Sequence, residues 1–275
     1  MAADAAAPAV LEAALREALA PVFPDAGAVT GLRRLSGGAS QETWAFALAT
    51  SGGERQLILR RTPGGRDQGG TAASVPLATE AKLLELARAA GVPVPPVRRV
   101  LAPDDGLGAG FVMDFVDGET IPRRILRDAE YAAARAGLAR ECGTVLARIH
   151  AIDPARVPEL RPQTARDQVD QYRQIYDALD DPRPVFELAF RWLDDHAPAP
   201  AAPPVAPRVV HGDFRNGNLI VGADGLRAVL DWELAHVGDP FEDLGWICVC
   251  SWRFGEIDKP VGGFGSREEL FAAYE

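Results

Sequence analysis

The segment His211-Gly-Asp-Phe-Arg-Asn-Gly-Asn-Leu-Ile220, followed by Asp231-Trp-Glu233, constrains this chain more tightly than any other stretch. Between the two lie Leu219-Ile-Val221, the turn formers Gly222-Ala-Asp-Gly225 and Leu226-Arg-Ala-Val-Leu230. Two apolar runs about a Gly/Asp turn predict a β-hairpin. Antiparallel pairing sets the start of the first strand beside the end of the second. Asn218, just before the first strand, is thereby brought next to Asp231, just after the second. An amide oxygen and a carboxylate so placed suit a divalent ion that prefers oxygen ligands, as Mg²⁺ does. Asp213 lies in the loop leading to Asn218, where it would accept a hydrogen bond, and finally a proton, from an attacking hydroxyl. His211 reads as a structural residue bonding backbone near the loop rather than as the base.

Composition narrows the class of protein without naming it. The chain has 275 residues, 47% of them hydrophobic, enough for a sizeable core or for two lobes. No apolar run approaches the ~18 residues of a membrane helix, and the alanine-rich start lacks a basic region ahead of an apolar one, so a cytoplasmic protein is expected. A net charge of −10 argues against nucleic-acid or anionic-membrane partners. Cys142, Cys248 and Cys250 have neither metal spacing nor an even count, and Cys248-Val-Cys250 reads as a buried apolar run. Only Lys82 and Lys259 are lysines, so arginine carries nearly all the basic chemistry.

On His211-Gly-Asp213, Asn218 and Asp231 the chain resembles the aminoglycoside phosphotransferase and choline kinase family, relatives of the protein kinases. The wording of Leu57-Ile-Leu-Arg-Arg-Thr-Pro63 and Asp231-Trp-Glu233 is closest to the branch related to the kinase domain attached to acyl-CoA dehydrogenases. The resemblance covers about residues 30 to 275. It implies a two-lobed, α+β, protein-kinase-like fold, with a small antiparallel β lobe at residues 1–117 and a larger, mainly helical catalytic lobe at 118–275. It implies ATP and Mg²⁺ as cofactors and transfer of the γ-phosphate to a small-molecule hydroxyl, with Asp213 as catalytic base and Asn218 and Asp231 as metal ligands. Aminoglycoside-like alcohols, choline-like alcohols, sugars and hydroxyacyl-CoA are all acceptors the family allows, the last favoured by the branch.

The remaining segments are read in that frame. Residues 9–20 have helical apolar spacing, and 32–62 read as a three-stranded meander with turns at Ser36-Gly-Gly-Ala-Ser40 and Gly52-Gly53. Ser36, Gly37, Gly38, Ala39 and Ser40 resemble the family's nucleotide-covering loop, in which small residues let backbone N–H groups approach phosphates. Arg60 occupies the position at which the family usually carries a phosphate-binding lysine; a one-residue slip of register would put Arg61 there instead. Residues 75–90 form a helix with a leucine stripe, and the resemblance pairs its Glu80 with Arg60. Gly110 to Gly118 resembles the hinge between lobes, where the main chain of Asp114, Phe115 and Val116 would meet adenine and Met113 would wall the pocket.

Helices are expected over 128–151, twice within 164–196, over 244–252 and over 267–275, with a Pro/Ala-rich connector at 198–207 and a strand at 208–210. His150 reads as a hydrogen-bonded core histidine, and Phe190 and Trp192 as core or substrate-wall residues. Asp243 resembles the family aspartate that braces the catalytic loop, and Asp239 before Pro240 serves as well as a helix cap. Family members usually continue for several helices, so the expectation at Glu275 is a truncated sequence or an open acceptor pocket. Two other readings stay open: a nucleotide-binding module without transfer, and a metal hydrolase using His211, Asp213 and His236.

Overall fold

The computed structural model describes residues 3–35, 41–62, 74–196 and 206–275, with side chains from residue 9 onward. It opens with helix α1 (Ala3–Leu19), then strands β1 (Val29–Arg34), β2 (Glu42–Thr50) and β3 (Gly53–Arg61), helix α2 (Leu77–Ala89), and strands β4 (Val97–Val100) and β5 (Gly110–Asp114). The strands form one antiparallel sheet in the order β1-β2-β3-β5-β4.

Strand alternation gives this sheet two faces with different partners. Phe46 and Leu48 of β2, Leu57 and Leu59 of β3 and Val112 of β5 pack against Leu11, Leu15, Ala18 and Leu19, the apolar stripe of α1 at helical spacing. The opposite face carries Ile58, Arg60, Phe111 and Met113, cross-strand neighbours in the β3–β5 register. Phe111 belongs to a second, larger core that takes in Leu77, Leu83 and Leu84 of α2 and continues through the helical part of the chain, with Met113 packed against it. The boundary expected after residue 117 follows β5, but the main core runs across it.

The helical lobe comprises α3 (Pro122–Arg127), α4 (Ala132–His150), α5 (Ala165–Ala178), α6 (Pro184–His196), strands β6 (Arg208–Val210), β7 (Leu219–Gly222), β8 (Gly225–Val229) and β9 (His236–Gly238), and helices α7 (Phe241–Trp246) and α8 (Arg267–Tyr274). Buried Leu138, Cys142, Val145, Leu146 and Ile149 of α4 form its centre together with Trp232. No helix among the described residues is long and apolar enough to cross a membrane.

Three expectations for this lobe need correction. The helix expected over 244–252 ends at Trp246, and a 3-10 turn, Cys250–Arg253, follows. Only Leu244, Ile247 and Cys248, which share one stripe, are buried, while Val249 and Cys250 fall off it into solvent. Phe190 and Trp192 are not core residues, because α5 and α6 bury none of their side chains. Trp192 is 56% exposed. Tyr172, Ile175 and Tyr176 of α5, Leu179 just after it, and Phe186, Phe190 and Leu193 of α6 instead line a cleft of about 670 Å³, which Phe241 and Glu242 of α7 line as well.

Candidate active site

The β7–β8 hairpin forms as the Gly/Asp turn dictates, with Leu219 opposite Val229, and the Leu230 N–H donates to the Asn218 carbonyl at 2.8 Å. Asn218 and Asp231 therefore flank the open end of one ribbon. Asp231 adopts a left-handed conformation, φ 67°, which costs a non-glycine residue on the order of 1 kcal/mol and turns the chain sharply away from β8.

The loop ahead of the hairpin is pinned from beneath. Fully buried Asp243, on α7, accepts from the His211 N–H at 2.8 Å, the Gly212 N–H at 3.0 Å and His150 Nε2 at 3.1 Å. Burial alone would push the Asp243 carboxyl up; the bond from His150 and the neighbouring imidazoles hold it below the ordinary carboxylate range. The Tyr274 hydroxyl lies 2.8 Å from His150 Nδ1 and extends the chain to α8. Gly212 has φ +82° and a side chain there would stand 2.5 Å from the Leu234 carbonyl, so only glycine lets the loop lie this close.

His211 is fully buried, and that burial lowers its pKa in spite of Asp243, Asp213 and Asp231. Its neutral ring donates from Nε2 to the Leu230 carbonyl at 3.0 Å and accepts the Asp213 N–H at Nδ1 at 3.2 Å. His236 spends both nitrogens likewise, on the Leu234 carbonyl and Glu242. Among the described residues no three His, Cys, Asp or Glu side chains are grouped to hold a metal ion. With both imidazoles spent on protein partners, the geometry counts against the hydrolase reading, which needs them as ligands.

Asp213 receives four N–H···O contacts from three side chains. Arg215 Nε meets both carboxylate oxygens at 3.0 and 3.1 Å, Trp246 Nε1 donates to Oδ1 at 2.7 Å, and Asn218 Nδ2 donates to Oδ2 at 2.7 Å. Asn218 Nδ2 also reaches the Asp213 carbonyl at 3.0 Å, so its oxygen is the atom it has left to offer a cation. Arg215 and Trp246 escaped the sequence reading, although each carried a signal: Arg215 lies two residues from Asp213 in the same loop, and Trp246 lies nearly one helical turn beyond Asp243.

Across the cleft between the lobes, Arg60 reaches down from β3. Its Nε lies 3.1 Å from Glu80, and its Nη2 lies 2.9 Å from Asp231 and 3.3 Å from Glu233. Desolvation works against its charge, but Glu80, Asp231 and Glu233 outweigh it and raise the guanidinium pKa. Glu80 is pushed up to about 7 by burial, opposed by Arg60 and reinforced by Asp231 and Glu233. Arg61 points to the other face and bonds Glu42 at 3.1 Å, as strand alternation requires. Glu233 was not anticipated as a partner of Arg60.

At the end of β5 the backbone is largely committed. The Asp114 N–H donates to the Pro96 carbonyl and the Phe115 N–H to the Gln56 carbonyl, while the Asp114 carboxylate holds Arg98. Of the main-chain N–H and C=O groups expected to meet adenine, the Asp114 and Phe115 N–H groups are thus already bonded within the protein, because β5 is an interior strand that bonds on both sides. Among the described residues nothing accepts from Val116. Ser36, Gly37, Gly38, Ala39 and Ser40 lie outside the described residues.

A family model described as the phosphotransferase enzyme family matches residues 31–275 of this chain. The chain belongs to that family. Mouse acyl-CoA dehydrogenase family member 10 is 30% identical over 257 residues, which is 86% of this chain and 23% of that protein. This phosphotransferase-family chain spans less than a third of the length of mouse acyl-CoA dehydrogenase family member 10 and of two further curated relatives, from Arabidopsis thaliana and Gallus gallus. A Ralstonia eutropha JMP134 structure assigned as an aminoglycoside phosphotransferase superposes with a TM-score of 0.69 at 23% identity, covering 95% of this chain and 78% of the other. The streptomycin–ATP ternary complex of APH(2″)-IIa does so with a TM-score of 0.59 at 19% identity, covering 94% and 82%. At such identities the likeness establishes the fold, a kinase-like α+β architecture.

Proposed function

We propose that this phosphotransferase-family chain is a small-molecule kinase that moves the γ-phosphate of ATP to an alcohol, with Asp213 as base and Asn218 and Asp231 as Mg²⁺ ligands. The observation that supports the reading is that the open end of one hairpin sets Asn218, bonded to Asp213, beside Asp231, which meets the Arg60–Glu80 pair. The donor set fits the ion. Both ligands offer oxygen, as Mg²⁺ prefers, and three carboxylates share one guanidinium at Arg60, leaving the cluster short of positive charge. Asn218 and Asp231 would hold Mg²⁺, which would supply positive charge against the phosphates.

The chain's own residues supply the rest. Arg60 would orient the phosphates while Glu80 and Glu233 hold its fork. The Val116 N–H is the hinge donor left for a purine, with Met113 beside it. Asp213, its oxygens set by Arg215, Trp246 and Asn218, would take the proton of the acceptor hydroxyl, so that positioning and electrostatics do most of the catalysis. Glu242 and Trp246 stand on one face of α7, four residues apart; the former lines the α5–α6 cleft and the latter bonds Asp213. That continuity, with the aromatic lining of the cleft, favours an alcohol with an apolar body. The acceptor panel should therefore include hydroxyacyl-CoA alongside aminoglycosides and choline-like alcohols.

Asp213→Asn tests the assignment. Its kcat should fall by about 10²–10⁴-fold, with Mg·ATP affinity within a few-fold of wild type. Loss of nucleotide binding by a folded variant would count against the role. Nucleotide binding by wild type without ADP release from any acceptor would favour the binding-module reading.

A further inference from the structure

Arg215 holds Asp213 with one nitrogen only. Its Nε spans both carboxylate oxygens at 3.0 and 3.1 Å, and among the described residues neither Nη group donates to a protein acceptor. The guanidinium carbon lies 4.4 Å from the centroid of Trp252, which in turn packs edge-on against Trp246, another donor to Asp213. A side chain on Gly217 would approach Nη1 to 2.4 Å, so this glycine leaves the space the guanidinium fills, one residue ahead of Asn218. A cation with two N–H₂ groups unspent on protein acceptors among the described residues thus stands beside the carboxylate that also binds the Asn218 amide. An arginine needed only to steer a carboxylate would more simply turn its two-pronged Nη edge upon it; here that edge is kept back and the flat face is stacked.

We propose that Arg215 is a catalytic residue, a cation supplied by the catalytic loop itself that contacts the oxygens of the phosphoryl group in flight. The role rests on the phosphotransfer reading above. In the step, the acceptor oxygen forms its bond to the γ-phosphorus as its proton passes to Asp213. The bond between that phosphorus and the β–γ bridging oxygen breaks, and its electron pair leaves with ADP. Arg215 gives up no proton; its Nη groups stabilise charge spread over the three equatorial oxygens, which are most demanding of donors at mid-transfer.

The experiment compares ADP binding to the full chain in Mg²⁺ buffer with and without aluminium fluoride, which with ADP mimics the planar phosphoryl group. Wild type should bind ADP at least about tenfold more tightly with the fluoride. Arg215→Met should keep its ADP affinity within about twofold and lose that enhancement, and its kcat should fall by about 10²–10³-fold with little change in KM for ATP. Arg215→Lys, which keeps the charge, should recover part of the enhancement and serves if the methionine variant fails to fold. Full enhancement in a folded Arg215→Met overturns the proposal and leaves Arg215 as a steering group for Asp213. A wild type with no enhancement overturns the phosphotransfer reading, and this role with it.

Discussion

A guanidinium divided among three carboxylates is a different object from a single ammonium. The Arg60 fork reaches Glu80 with Nε while Nη2 reaches Asp231 and Glu233, a span that one ammonium on a flexible stem would not hold in fixed geometry. The excess acid shows at Glu80, whose pKa burial and the neighbouring carboxylates raise to about 7 from an ordinary 4.5. Between those values the native state holds a proton that the unfolded chain has released. Glu80 therefore stabilises the fold fully below pH 4.5, and its contribution is lost as the pH rises toward 7. The stability of wild type relative to Glu80→Gln should fall by about 1–3 kcal/mol across that window, followed by urea denaturation at each pH. A flat or rising difference would mean that Glu80 ionises as an ordinary carboxylate.

At the scale of elements, the catalytic loop is shaped less by its own sequence than by α7 beneath it. Asp243 satisfies two successive main-chain N–H groups and the His150 ring, all buried. Asp243→Ala would leave those donors without an acceptor, at a cost of about 3–5 kcal/mol, read from the midpoint of chemical unfolding. A loss under about 1 kcal/mol would show that the loop holds its shape through the hairpin alone. The same helix delivers Trp246 to Asp213, so its early end at that residue has a consequence for the site. The chain leaves α7 in time for the following turn to bring Trp252 onto Arg215.

Across the whole molecule, two cores are unequal in reach. The smaller lies between α1 and the outer face of the sheet and holds Trp44 at its margin. The larger joins α2 and Phe111 to α4, the hairpin and Trp232. Because it crosses from the sheet to the helical lobe, urea should unfold both lobes in one cooperative transition, with tryptophan fluorescence and far-ultraviolet circular dichroism giving one midpoint. Two separated midpoints would show that the lobes are held apart energetically, despite the shared apolar contacts.

The hairpin, the face on which Arg60 stands, the α1 stripe and the structural character of His211 and His150 were legible in the letters. Each depends on spacing along a few residues, where strand alternation, helical period and turn chemistry decide the outcome. The family resemblance of the segment from Gly238 to Gly245 also marked Asp243 as a brace. What it left undetermined was every partner that arrives from far along the chain. Glu233 on Arg60 spans 173 residues and Trp246 on Asp213 spans 33. The commitment of the Asp114 and Phe115 N–H groups and the exposure of α5 and α6 are of the same kind. An amphipathic pattern says which face of an element is apolar, but packing alone decides what covers it, and a backbone N–H is spent or spare only once its neighbouring strand is in place.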